Sequence, residues 1–244
     1  MTTPHPNPPD RRLIAALGAG NSSVRLKAAL TAGTDADPAL VEPLLARCAV
    51  EPDFFVRDML TWALTRLPAE ITVPRLVAQL RSTRAQARSQ ALHTLSKIGD
   101  GRVWPEITRS LLRDTDDEVA RSAWRAAVVL VPAADRPALA AELATQLGRG
   151  DRAVKLSLSR ALVALGEVAE PVLRQGFASP DPLVRAHARA TERLLRDPDA
   201  SFDPSLEEAK RMAALGPERA AAVETAVESA ADTAVEGAVA GADR

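Results

Sequence analysis

Apolar residues recur along this chain at helical spacing, in blocks that resemble one another. NSSVRLKAAL (21–30), DFFVRDMLTW (53–62), RAQARSQALH (84–93), DEVARSAWRA (117–126), DRAVKLSLSR (151–160) and DPLVRAHARA (181–190) align without gaps. Each block pivots on a basic residue: Arg25, Arg57, Arg88, Arg121, Lys155 and Arg185, with spacings of 32, 31, 33, 34 and 30. Counted from that pivot at about 100° per residue, apolar residues fall at positions −1, +3 and +7, the stripe of an amphipathic helix. Position −1 holds Val24, Val56, Ala87, Ala120, Val154 and Val184, and position +3 holds Ala28, Leu60, Ala91, Trp124, Leu158 and Ala188. Position +7 holds Ala32, Leu64, Leu95, Val128 and Leu162, then Glu192, a polar residue that suits a terminal repeat with no following neighbour.

A second ladder has the same period. Pro43, Pro74, Pro105, Pro137 and Pro171 are spaced 31, 31, 32 and 34, and each precedes an apolar pattern of its own. Each unit therefore reads as two helices. The first carries its proline in or near the opening turn, where the missing N–H costs little. The second starts after an Asp or Asn able to cap it: Asn21, Asp53, Asp117, Asp151 and Asp181, with Arg84 breaking the rule in the third unit. Gly33, Gly99 and Gly166 follow the second helices, where a left-handed residue is expected.

These blocks resemble the HEAT-repeat family, in particular the short bacterial HEAT-like repeats of the phycobilisome-lyase type. The pattern D-P-x-V-R-x-x-A is nearly intact in DPLVRAHA (181–188), and its continuation recurs in ARSQALHTLSKIGDGRVWPEI (87–107). The resemblance covers about residues 10–200. It implies an all-α, right-handed α-solenoid of about six HEAT-like helical-hairpin repeats. It further implies a structural ladder between neighbouring repeats, here Asp53, Asp117, Asp151 and Asp181 with Arg57, Arg88, Arg121, Lys155 and Arg185.

Composition agrees with packed helices. The chain of 244 residues is 46% hydrophobic but 3% aromatic, so its apolar content is mostly Ala, Leu and Val. Arginine outnumbers lysine 27 to 4, a bias typical of GC-rich bacterial coding. The net charge is −1, which excludes a strong general field for nucleic acid or anionic membranes. Residues 203–244 hold nine acids and four bases, leaving residues 1–202 at +4. The organisation expected is a flexible N-terminus (1–9), the solenoid (10–202), a short terminal helix (203–215) with a Ser205/Glu208 capping box, and an Ala/Glu-rich disordered or fraying tail (216–244). Cys48 is the only cysteine, MTTPHPNPPD lacks the regions of a signal peptide, and no apolar run approaches the ~18 residues of a membrane span. A cytoplasmic monomer is expected.

Candidate chemistry is sparse. His5, His93 and His187 lie in different segments, and no phosphate loop, nucleophile elbow or metal-ligand spacing is present, so neither cofactor, metal nor catalytic residue is assigned. Positions +1 and +5 lie nearly opposite the apolar stripe and are expected to face outward along the inner wall. Asp58, Trp62, His93, Arg125, Arg160 and Arg189 are the non-repeating residues on or bordering that face, with Trp62 off the core and Trp124 within it. They are the candidate contacts for a protein partner held along a concave, non-enzymatic scaffold. Two alternatives stand beside this. One is nucleic-acid binding related to the HEAT-like alkylbase DNA glycosylases, in which Asp58 would stabilise developing positive charge. The other is a lyase- or chaperone-like subunit of the bilin-lyase type, which the resemblance alone implies.

Overall fold

The computed structural model of the chain describes residues 10–197 together with Asp199 and Phe202. The expected N-terminal arm (1–9), the terminal helix with its Ser205/Glu208 box (203–215) and the tail (216–244) lie outside the described residues. Among those described, all regular structure is helical. The helices are α1 (Arg11–Leu17), α2 (Ser22–Asp35), α3 (Val41–Cys48), α4 (Phe54–Arg66), α5 (Ala69–Gln79), α6 (Ala85–Ile98), α7 (Arg109–Leu112), α8 (Asp117–Leu130), α9 (Arg136–Ala144), α10 (Arg152–Leu165), α11 (Glu170–Phe177) and α12 (Pro182–Arg196). Odd helices are the short first members of hairpins and even helices the long second members, which gives the six units read from the two ladders. The first members vary most: α7 is a four-residue helix behind a 3-10 segment, Gly101–Glu106, that holds Pro105. Pro74 is not near an opening turn but lies inside α5.

The described helices gather into two compact units, divided between Leu143 and Ala144. In the first, α2, α4, α6 and α8 contact one another in succession, and α1, α3, α5 and α7 each pack on the second helix of their own hairpin. This is the side-by-side stacking of an α-solenoid. Position +3 of every block is buried, Trp124 included, whose indole N–H donates to the Leu112 carbonyl at 2.9 Å. The rest of the stripe needs correction: Val24 is exposed, and Val128 and Val184 are half-buried. Conversely Ser89, Ser122, Ala126, Ala186 and Ala190, expected outside at +1 and +5, are buried. A second helix of the first unit is covered by its own first helix and by its neighbours on both sides, so its free face is narrower than one opposite stripe.

Caps follow the expected chemistry with one exception. Asn21, Asp53, Asp151 and Asp181 accept backbone N–H groups of their own helices. In the fourth hairpin Asp116, not Asp117, is the cap, accepting from the N–H groups of Glu118 and Val119. Arg84 gives no side-chain cap. Gly99 and Gly166 end their helices at positive φ, but Gly33 lies inside α2 and the left-handed residue there is Ala36. Gly33 serves another purpose. A Cβ on it would fall 2.3 Å from Trp62 Cζ3 and 2.8 Å from Ala63 Cα, so its bare backbone is what lets α4 lie this close.

The recurrent arginine has a definite task. Nη1 of Arg25, Arg57 and Arg185 donates to the carbonyls five and six residues earlier, in the loop that leads into its own helix, and Arg88 reaches the carbonyl six back. Two of these arginines also grip the next repeat. Arg25 makes a two-pronged pair with Glu51 (2.7 Å each), and Arg88 does the same with Asp114 (3.0 Å each). For these two arginines the acids of the next repeat are Glu51 and Asp114, two residues before the capping Asp, rather than the capping Asp itself. Glu51 is fully buried, takes a further 2.7 Å bond from Arg47 and accepts the Asp53 N–H. Burial alone would raise its pKa; the hydrogen bonds from Arg25, Asp53 N–H and Arg47 hold it at about 2. Arg121 instead pairs with Glu118 of its own helix.

In the second unit α12 contacts α10 and α11. His187 is completely buried there. Its Nδ1 accepts the Gly148 N–H (3.0 Å), which makes Nε2 the protonated nitrogen, shared between the Lys155 carbonyl and Ser159 Oγ at 3.0 Å. Ser159 also bonds Thr191 (2.6 Å). Because Nε2 carries the proton, this Ser–His contact is not a nucleophile and its base. Burial pushes the His187 pKa down to about 4.

Candidate functional site

Three second helices of the first unit frame a groove of about 380 Å³. Phe54, Arg57, Asp58 and Thr61 line it from α4, Ser89, Gln90 and His93 from α6, and Glu118, Arg121, Ser122 and Arg125 from α8. The small hydroxyl residues are what open it. Ser89 and Ser122 occupy the same block position in successive repeats and are spent locally, Ser89 donating to the Gln86 carbonyl and Ser122 accepting from Arg125 at 3.0 Å.

Of the residues singled out from sequence, Asp58, His93 and Arg125 meet in this groove, joined by Arg57 and Arg121 of the recurrent set. Trp62 does not line it: it is 37% exposed and rests its ring against Gly33 of α2. Arg160 and Arg189 belong to the second unit. Arg160 is exposed on α10, and the Arg189 guanidinium stacks 5.6 Å from the centre of the Phe177 ring. Sequence reasoning missed Phe54 and Thr61. Phe54 and its neighbour Phe55 are 65% and 72% exposed, two of only four phenylalanines in the chain, packed edge to face, with the Arg57 guanidinium 5.9 Å from the Phe54 ring centre. That doublet was the available signal.

The electrostatics are uneven. Burial first, then the neighbouring charges of Arg125 and Lys97, lower the His93 pKa against the opposing pull of Asp58, so the imidazole is neutral at pH 7. Arg125 is solvent-exposed as a residue, yet desolvation of its guanidinium and the proximity of Arg121 lower its pKa, only partly offset by Glu118; it stays charged. Three guanidinium groups against Asp58 and Glu118 leave the lining one positive charge in excess. Among the described residues no group of three or more His, Cys, Asp or Glu lies together to hold a metal ion, and no helix is long and apolar enough to cross a membrane. Cys48 is buried, and burial pushes its thiol up to about 12, so it is not a nucleophile at neutral pH.

Residues 11–96 match the family model for HEAT repeats. Among solved structures the chain is similar to an engineered protein at 21% identity, covering 76% of this chain and 95% of that one, with a TM-score of 0.42. It is also similar to human deoxyhypusine hydroxylase in complex with glycerol at 18% identity, covering 91% and 94%, with a TM-score of 0.41. No curated protein matches the chain.

Proposed function

We propose that this HEAT-repeat protein is a non-enzymatic scaffold that holds a protein partner on the face formed by the second helices of its first unit. HEAT repeats build helical-repeat scaffolds that commonly mediate protein interactions, and their stacked second helices offer one continuous binding face. The observation that carries the reading here is the α4–α6–α8 groove. It collects Asp58, His93 and Arg125 from three successive repeats beside the exposed ring of Phe54. An exposed aromatic next to arginine is the usual composition of a binding hot spot. Trp62, one turn beyond Asp58 on α4, is a flanking contact, and Arg160 and Arg189 are a separate candidate surface on the second unit.

The test is direct. Peptides selected from a random displayed library on the full chain are titrated against Phe54→Ser, His93→Ala and Trp62→Ala. The reading expects weakened binding to the first two, a smaller loss for the third, and unchanged helix content throughout. Peptides that bind all three variants as tightly as wild type would overturn it.

A further inference from the structure

Two groups in the α4–α6–α8 groove lack the partners their chemistry calls for. Thr61 is 4% exposed and its Oγ1 has no hydrogen-bond partner, yet it lines the groove. A buried hydroxyl without a bond costs about 1–3 kcal/mol, and a ligand acceptor that reaches it recovers that cost. Arg125 is the second. Among the described residues its one side-chain bond is to Ser122 Oγ, a neutral acceptor, and no carboxylate pairs with it. The contrast with the recurrent arginines is plain, since Arg25 and Arg88 each hold a carboxylate with two prongs. Arg121 adds a buried Nε without an acceptor, although its terminal nitrogen holds Glu118.

We infer that the groove receives the carboxylate side chain of an acidic peptide segment, paired to Arg125 and hydrogen-bonded by Thr61 Oγ1, with an adjacent apolar residue of that segment against Phe54. This rests on the scaffold reading above and names the chemistry of its partner. One negative charge is what the lining accommodates. Asp58 and Glu118 lie in the same groove and repel a dianionic phosphate or the closely spaced series of charges along a nucleic-acid strand, while the excess of one positive charge is neutralised by a single carboxylate. The volume of about 380 Å³ admits one or two side chains, not a polymer backbone. The neutral His93 neither adds to nor competes for that charge at pH 7.

The experiment pans a displayed random peptide library on the full chain, wild type and R125E in parallel, each shown by circular dichroism to keep its helix content. Wild type is expected to enrich peptides that share one Asp or Glu beside an apolar residue, and R125E to enrich Lys or Arg in that place. A synthetic wild-type-selected peptide should bind roughly tenfold more weakly once its acid is changed to the amide, or on R125Q, and about threefold more weakly on Thr61→Val. Enrichment without an acid, or the same consensus on R125E, overturns the inference while the scaffold reading stands. Displacement of the peptide by inorganic phosphate or a single-stranded oligonucleotide at matched ionic strength overturns it in favour of a phosphate ligand. No enrichment on folded wild type overturns both. If R125E loses its helix content, R125Q is panned instead and must lose the acidic consensus.

Discussion

Arg25 and Arg125 are the same side chain in two different situations. Arg25 is buried with all three of its nitrogens engaged: Glu51 accepts from Nε and Nη2, and the Ala19 and Gly20 carbonyls both accept from Nη1. Arg125 borders the groove with one neutral acceptor. The comparison separates arginines that the architecture consumes from one that it leaves available. A guanidinium is only as free as its unfilled donors, and most of the abundant arginines here are used up in loops and ion pairs. The His187 cluster belongs with Arg25, since both ring nitrogens are bonded; His93 belongs with Arg125, in the groove.

The contrast can be broken from its closed side first. Glu51→Gln leaves the buried Arg25 without a counter-charge and is expected to cost about 3–5 kcal/mol in urea unfolding. The His187 cluster comes next. Its folded pKa of about 4 lies below the ordinary 6.5, so the folded state takes up its proton later than the unfolded one as pH falls. That stability is complete above pH 6.5 and is lost on going down towards 4, about 3 kcal/mol in all, and His187→Gln should flatten the slope of unfolding midpoint against pH in this window. Gly33→Ala gains roughly 1 kcal/mol of helix propensity but drives a methyl into Trp62 and the α4 backbone, for a net loss of about 1–2 kcal/mol and a shift in tryptophan fluorescence. On the open side, Arg125→Gln should change stability by less than about 0.5 kcal/mol, read in the same urea titration. A large loss there would mean that Arg125 is structural and the contrast false.

How far the sequence carried depended on whether a feature was local. The Arg and Pro ladders predicted six hairpins because period and helical stripe are properties of a single strand of text. Capping was legible at Asn21, Asp53, Asp151 and Asp181, but the Asp116–Asp117 doublet offers two candidates and the gapless alignment selected the wrong one. The outward face was only partly legible. Ser89 and Ser122 look exposed on a helical wheel, and only the neighbouring helix of the stack buries them. Trp62 was rightly placed off the core, yet its company is set by Gly33, 29 residues earlier, whose spacing suggested a helix end instead. Thr61 carried no signal at all, since an unfilled hydroxyl is a property of its surroundings.

The carbonyl contacts of Arg25, Arg57, Arg88 and Arg185 also bear on how the chain folds. Each bond closes a loop of five or six residues, which costs little closure entropy, and it is made by a helix on the loop that feeds it. The turn into every such helix can therefore form while the rest of the chain is still unfolded, without waiting for a neighbouring repeat. Contacts this short keep the contact order low and give the folding reaction several equivalent starting points.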